Sequence, residues 1–302
     1  MRLVVQVKLL PTPEQATALE ATLRAVNAAA CQVSRQAHTL RTFRNYDLRK
    51  HTYTQIKDGY GLAAQHVIKK VADAYATLHA NIRAGNLGKV GSARRVRAES
   101  TPIAFRAEAA QPFDDRCLSW QIDARTVSIW SVAGRLKNLR FTASAEQLKT
   151  LSAHRKGESD LLYRDGMWFL IATCDLPDAR VKDPEAFLGV DLGIVNIATT
   201  SDGARHSGKG LNAVRHRRRE LRRRLQAKKT KSAKRLLRKR RRAEARFAAN
   251  TNHVIAKQLV TEAERTGQGI ALEDLQGIRD RVRLRKPQRV TLHSWSFHQL
   301  GA

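Results

Sequence analysis

The sequence lacks the features that mark a secreted, disulfide-linked or membrane protein. It contains only three cysteines, Cys31, Cys117 and Cys174, and they form no CxxC pair. Neither a disulfide framework nor a zinc ribbon is therefore expected. No apolar run approaches the length that crosses a membrane, and the first ten residues read as a strand rather than a signal peptide. We expect a reducing, cytoplasmic setting without a membrane partner.

Acidic residues are scarce relative to basic ones. The chain of 302 residues has 56 Lys and Arg against 27 Asp and Glu, a formal net charge of +29. Its hydrophobic share of 42% is sufficient for a core, and this length predicts two or more domains. Such an excess of positive charge favours a polyanionic partner, most simply nucleic acid.

Strand and helix patterns follow one another in the first 180 residues. Residues 3–9 alternate apolar and polar side chains, which is typical of a strand. Thr12, Pro13 and Gln15 form a helix start with a capping box. Apolar residues recur at helical spacing over residues 16–40 and again over 67–82, so the stretch from about 12 to 84 is predicted to be a small helical subdomain. Core packing is the preferred interpretation of that spacing. A Gly-rich, basic link covers residues 85–97. Strand patterns then dominate, with Asp165-Gly166 as a type I′ turn signal.

These patterns predict an α+β multidomain fold. A β-barrel would form from residues 1–11 and 96–180, with a helical insertion at 12–95. A linker is predicted at 177–187, because it contains two prolines. Three short strands, a long basic helix at 211–263 and a further buried strand at 269–275 follow. That order is the start of a ribonuclease-H-like α/β layout over residues 185–302.

The basic stretch carries most of the excess charge. Residues 205–246 contain 20 Lys and Arg and only two acidic residues, a net charge of +18. Like charges at this density repel along a helix, so a bound polyanion is favoured over a solvated face or a nuclear import signal. Lys and Arg contacts to phosphate confer affinity without sequence specificity. The predicted nucleic-acid-binding residues are Arg217, Arg218, Arg219, Arg222, Arg223, Arg224, Lys228, Lys229, Lys234, Arg235, Arg238 and Lys239.

Two carboxylates occur in apolar strand segments, Asp191 in FLGVDLGI and Glu273 in IALEDL. Burial disfavours an isolated carboxylate, and two brought together repel unless a cation lies between them. Mg²⁺ takes carboxylate oxygens, and two such ions can promote phosphodiester hydrolysis. Alternation points Asp274 to the opposite face, which indicates a supporting or structural role. The competing interpretation of Asp191 is a turn former, since Gly193 suits a tight turn.

Several segments, in order, resemble the TnpB (OrfB) family of bacterial insertion sequences. They are VKLLPTPEQ, LGVDLGIVNIATTSDG, the Arg-rich helix, NTNHVIAKQLV, GIALEDLQGIRDRV and TLHSWSFHQL. The resemblance implies a wedge-type barrel interrupted by a helical recognition part, then a RuvC-type nuclease domain. It also implies that the partners are a guide RNA and a target DNA, that the protein is located at the bacterial nucleoid, and that it cleaves DNA with Mg²⁺. Asp191 and Glu273 match the family's first two catalytic, metal-binding carboxylates.

The sequence departs from the family near residue 300. The family continues into a further helix, a CxxC…CxxC zinc ribbon and a third catalytic Asp, whereas this sequence ends at Ala302. We therefore expect an incomplete RuvC domain, no zinc, and nucleic-acid binding with little or no cleavage. A non-catalytic RNA- or DNA-binding remnant, or a regulator of an insertion sequence, is the alternative. A basic RNA-packing protein is a third hypothesis, which the Asp191 and Glu273 pair disfavours.

Overall fold

The computed structural model describes residues 1–61, 63–178, 183–240, 243–295 and 297–300. The chain divides into two compact units, Met1–Ala179 and Arg180–Ala302. Among the described residues, no helix combines the length and the apolarity needed to span a bilayer. The linker predicted at 177–187 lies partly outside the described residues.

The first unit contains seven strands and five helices among its described residues. The strands are β1 (Arg2–Leu10), β2 (Gln111–Phe113), β3 (Leu118–Gln121), β4 (Thr126–Ser131), β5 (Gly134–Thr142), β6 (Arg155–Arg164) and β7 (Met167–Asp175). The helices are α1 (Pro13–Leu40), α2 (Asn45–Tyr60), α3 (Ala63–Arg83), α4 (Ala93–Ser100) and α5 (Ala145–His154). Helix α2 was not predicted, and α4 occupies part of the segment predicted as a link.

The strands of the first unit form one antiparallel sheet in the order β2-β6-β7-β1-β5-β4-β3. The first strand lies inside this sheet, since Leu9 pairs with Phe141 of β5 and with Trp168 of β7. Its predicted pairing with later strands is thereby confirmed. The predicted turn at Asp165-Gly166 is also confirmed, because both residues have the positive φ that type I′ requires, 55° and 79°.

Local signals explain how the helices begin and which face they bury. The Gln15 N–H donates to Thr12 Oγ1 at 3.3 Å and the Thr12 N–H donates to Gln15 Oε1 at 3.0 Å. This is the predicted capping box. Helix α1 buries a stripe of apolar residues, and α3 buries a second one that includes Tyr75. The Tyr75 hydroxyl donates to the Ser34 carbonyl at 3.1 Å, which joins the two helices.

A polar contact lies within this helical core. Asn27 is buried, and its amide donates to the carbonyls of Ala107 and Ala109 at 3.0 and 2.9 Å. Lys70 of α3 donates from Nζ to Asn27 Oδ1 at 2.5 Å. Burial lowers the pKa of Lys70 to about 8, because the charged form loses its hydration. The chain entering β2 is thus attached to α1 through Asn27.

The second unit is a four-stranded sheet with helices. Its strands are β8 (Phe187–Asp191), β9 (Asn196–Thr200), β10 (Arg205–Ser207) and β11 (Gly269–Leu272), in the order β10-β9-β8-β11. Only the β8–β11 pair is parallel among the described pairings. The helices are α6 (Lys209–Lys228), α7 (Lys231–Arg240), α8 (Ala243–Thr266), α9 (Ile278–Arg281) and α10 (Lys286–Ser294), followed by a 3-10 turn (Phe297–Gln299).

Two predictions for the second unit are wrong. The basic helix at 211–263 is three helices, because Lys229 adopts a left-handed conformation that ends α6. The Thr230 hydroxyl then accepts the Ala233 N–H at 3.2 Å and caps the start of α7. The strand predicted as buried at 269–275 is the exposed edge strand β11, in which Ile270 and Leu272 are 36% and 41% exposed.

Candidate functional site

Asp191 and Glu273 lie at the same end of two neighbouring strands. Asp191 is the last residue of β8, and Glu273 directly follows β11. The parallel register pairs Leu272 with Val190, so the next residue along each strand is one of the two carboxylates. The Leu192 N–H donates to Glu273 Oε1 at 3.0 Å. The structure therefore brings the two predicted site residues together at one edge of the sheet.

Both carboxylates line one groove of about 530 Å³. Its polar part includes Asn196 and Thr199 of β9, and its apolar part includes Leu284 and Trp295 from the C-terminal helical segment. These two apolar residues were not predicted as part of the site. The only sequence signal in this region was that the segment containing Trp295 resembles the family. That resemblance did not indicate that Leu284 or Trp295 would lie beside Asp191.

The burial expected for Asp191 and Glu273 is wrong, since both side chains are exposed. Leu188 and Val190 of β8 point into the core, and alternation turns Asp191 outward at the strand end. The backbone of Asp191 pairs with Thr199 of β9, but its side chain makes no hydrogen bond or ion pair with any residue that the structure describes. This disfavours the interpretation of Asp191 as a turn former, because such a residue hydrogen-bonds its own backbone.

The tight turn after Asp191 depends on glycine. A Cβ on Gly193 would lie 2.7 Å from the Asn196 carbonyl oxygen, which no ordinary contact allows. The Gly193 N–H donates to the Ile197 carbonyl at 3.3 Å. This close approach folds the chain back into β9 and positions the Leu192 N–H that holds Glu273.

The chemistry of the two carboxylates fits Mg²⁺. Magnesium is bound by one or two carboxylates and keeps several waters, so an exposed pair without a Lys or Arg partner among the described residues is a suitable ligand set. Among the described residues, Asp191 and Glu273 belong to no group of three or more His, Cys, Asp or Glu side chains whose ligand atoms all lie within 4.8 Å of one another. Asp274 does not join them, because its Oδ1 accepts the Gln276 N–H at 2.8 Å and caps the following turn.

The predicted nucleic-acid-binding residues lie on α6, on α7 and at the junction between them. Eleven of the twelve are exposed, and Arg218 is partly buried beside Leu221 and Leu225. Two of them form ion pairs. Arg222 lies 3.0 Å from Glu244, and Arg223 lies 3.0 Å from Glu220. The helices thus present a dense cationic surface. Among the described residues, carboxylates neutralise only a small part of its positive charge.

Comparison with known proteins gives one match at the level of sequence. Residues 172–277 match the family OrfB_IS605, described as a probable transposase. This confirms the resemblance to the OrfB family over a segment that contains β8, the basic helices, β11 and both carboxylates. No curated protein sequence matches the chain significantly.

Several solved structures also match the chain, among them Cas12f1 in a cryo-EM complex with sgRNA and target DNA. The match covers 100% of this chain and 80% of that chain, at 11% sequence identity and a TM-score of 0.33. A similarity of this extent supports no conclusion about fold or function.

Proposed function

Because residues 172–277 match a probable transposase family, we propose that the chain is a TnpB-like, insertion-sequence-encoded protein that acts on nucleic acid. In this proposal residues 1–11 and 96–180 form the wedge-type barrel, 12–95 the recognition insertion, and 185–302 a RuvC-like domain. Its partners are a guide RNA and a target DNA, encountered at the bacterial nucleoid. The cationic surface on α6 and α7 contacts their phosphates.

One observation carries the proposed site. The parallel pairing of β8 with β11 places Asp191 and Glu273 side by side within the segment that matches the family. A purely RNA-packing protein has no need for two carboxylates at the ends of neighbouring strands, in a unit whose helices α6 and α7 attract polyanions. Their carboxylates would repel incoming phosphate unless a cation were bound, and this favours a metal-dependent role over a structural one.

Each group has a defined part in the proposed chemistry. Mg²⁺, when bound, would lower the pKa of a water and neutralise charge on the scissile phosphate. Asp191, whose side chain has no other partner among the described residues, supplies carboxylate oxygens from β8. Glu273 uses Oε1 to accept the Leu192 N–H, which fixes its side chain at the groove that it lines, and its carboxylate would be the second ligand. The arginines and lysines of α6 and α7 hold the substrate backbone electrostatically.

The proposed activity is binding with little or no cleavage. A two-metal site needs enough ligands to hold both ions in line with the scissile phosphate, and the proposed ligands are the two carboxylates that line this groove, Asp191 and Glu273. Loss of alignment at a reacting centre lowers rates by orders of magnitude. The second candidate function is a non-catalytic, nucleic-acid-binding regulator of an insertion sequence. It is favoured by the same observation that the proposed metal site has two carboxylate ligands.

The test uses the full chain with labelled structured RNA, single-stranded DNA and duplex DNA. We expect binding to all three at low salt, and cleavage near background with Mg²⁺. Asp191→Asn should leave binding unchanged, and Asp274→Asn is the matched control at a neighbouring carboxylate. Absence of binding at low salt would refute the nucleic-acid role. Strong Mg²⁺-dependent cleavage that is lost in Asp191→Asn and kept in Asp274→Asn would support the proposed metal site. It would contradict the proposal that the chain cleaves little or not at all.

A further inference from the structure

The first unit contains a cluster of possible metal ligands that has no place in the proposed nuclease. It consists of His66 of α3, and of Asp114 and Cys117 in the loop between β2 and β3. One ligand atom of each residue lies within 4.8 Å of the others. His66 and Cys117 are buried, at 4% and 1% exposure. We propose that His66, Asp114 and Cys117 bind one transition-metal ion of the Zn²⁺ class.

The strongest support is the environment of the His66 ring. Its Nε2 is buried and has no hydrogen-bond partner among the described residues. This atom lies 3.2 Å from Asp114 Oδ1. Two ligands on one tetrahedral ion, with bonds of about 2.0–2.1 Å, are separated by roughly 3.3 Å. The observed separation therefore suits two atoms that share an ion.

The opposite side of the His66 ring has the partner that a metal-binding histidine uses. Nδ1 lies 3.5 Å from Glu158 Oε1 on β6, and Glu158 in turn accepts a hydrogen bond from Lys69 at 2.9 Å. A carboxylate beside the distal nitrogen favours the tautomer that carries its proton on Nδ1, which leaves the Nε2 lone pair for a metal. Phe113 packs against the ring edge, with ring centroids 6.3 Å apart, and restrains its orientation.

The ligand types indicate the class of metal. One thiol, one imidazole and one carboxylate form a mixed S, N and O set, which suits Zn²⁺ and its spectroscopic substitute Co²⁺ far better than Mg²⁺. Both oxygens of Asp114 have partners within the loop. Its Oδ2 pairs with Arg116 at 2.6 Å, and Oδ1 accepts the backbone N–H groups of Arg116 and Cys117 at 3.1 and 3.3 Å. These two backbone hydrogen bonds hold Oδ1 beside His66, where it would share an ion. Three protein ligands leave a fourth position for water.

The competing explanation is an ion pair without metal. A protonated His66 between Asp114 and Glu158 would also satisfy the two carboxylates. That arrangement gives Cys117 no role and predicts no change when Zn²⁺ is added. The separation of 3.2 Å between Nε2 and Asp114 Oδ1 suits both explanations, so the response to added metal separates them.

The test is metal binding by the full chain after treatment with a chelator. We expect one Co²⁺ per chain with a thiolate-to-cobalt absorption band, displaced by Zn²⁺. Asp191 and Glu273 could bind Co²⁺ too, but no cysteine lines that groove, so the thiolate band separates the two sites. Cys117→Ser should remove the band. Cys174→Ser, at another buried cysteine, is the matched control and should keep it.

Glu158→Gln provides a second variant that keeps the three ligands, and it should weaken Co²⁺ binding about 10–100-fold. Zn²⁺ should also raise the melting temperature of the wild type and of Cys174→Ser, but not of Cys117→Ser. Circular dichroism identifies any variant that has failed to fold. Absence of a thiolate band in the folded wild type, or a band that persists in folded Cys117→Ser, would overturn the proposal.

Discussion

The cationic surface on α6 and α7 allows a quantitative prediction for salt dependence. Four of its residues, Arg217, Arg219, Arg224 and Lys228, are exposed and form no ion pair with the described residues. If each neutralises one phosphate of duplex DNA, replacing all four by Gln lowers the slope of log K against log salt by about 3–4, because each contact contributes about 0.9. The wild type should then lose roughly 100-fold more affinity than the variant between about 50 and 200 mM salt.

Fluorescence anisotropy with one labelled duplex, measured across a salt series, determines both slopes. The substitutions are all at exposed positions, so each should change the free energy of unfolding by less than about 0.5 kcal/mol. The control variant removes the same charge from the first unit, at four exposed arginines: Arg94, Arg97, Arg106 and Arg140. Equal slopes for the wild type and the α6 variant, or an equal decrease in the control, would refute a role for this particular surface.

Three further predictions concern single residues. Asp191→Asn should change the free energy of unfolding by less than about 0.5 kcal/mol, because the side chain is exposed, yet it should weaken Mg²⁺ binding in calorimetry; unchanged binding would contradict the site. Gly193→Ala should lower stability to urea by about 1–3 kcal/mol, since its Cβ meets a backbone oxygen, whereas Gly210→Ala, which meets nothing within 4 Å, should be tolerated. Lys70→Met removes a charge whose burial costs the fold up to about 3 kcal/mol at pH 7, because the Lys70 pKa is lowered to about 8, but it also leaves the buried Asn27 Oδ1 without its donor, at a cost of about 1–3 kcal/mol, so the free energy of unfolding should rise by about 0–2 kcal/mol. The wild type should gain stability from about pH 8 to 10.5 in urea titrations, and an equal gain in the Met variant would show that Lys70 is not its source.

Features encoded within a few residues were predictable from the sequence. The capping box at Thr12 and the turn at Asp165-Gly166 depend on neighbouring residues alone, and both are present. Helix α2 was missed because its buried face has few strongly apolar residues, with Thr52 between Leu48 and Ile56. The end of α6 was missed for a different reason. It depends on one left-handed lysine in a segment of good helix formers, and a lysine gives no signal for that conformation.

The candidate sites also were predictable only where neighbouring residues encode them. Apolar strands followed by Asp191 and Glu273 indicated which residues would meet, but strand length alone did not reveal that both would be exposed. The cluster around His66 had no local signal, because α3 and the loop after β2 are far apart in sequence. Packing of α3 against the sheet brings them together, and no spacing rule for cysteine and histidine describes such a pair.

The central position of β1 has a consequence for how the chain folds during synthesis. The amino group of Met1 donates to the carbonyl of Leu176, across 175 residues. At about 5–20 residues per second, β1 waits roughly 10–35 s for β7 to be made. Helices α1 to α3 contact one another locally and can form first. Strand β5 is made earlier, but it pairs only with Lys8–Leu10. Until β7 arrives, the part of β1 that contains Val5 and Val7 therefore has no strand partner, which is the state in which such strands associate with other chains.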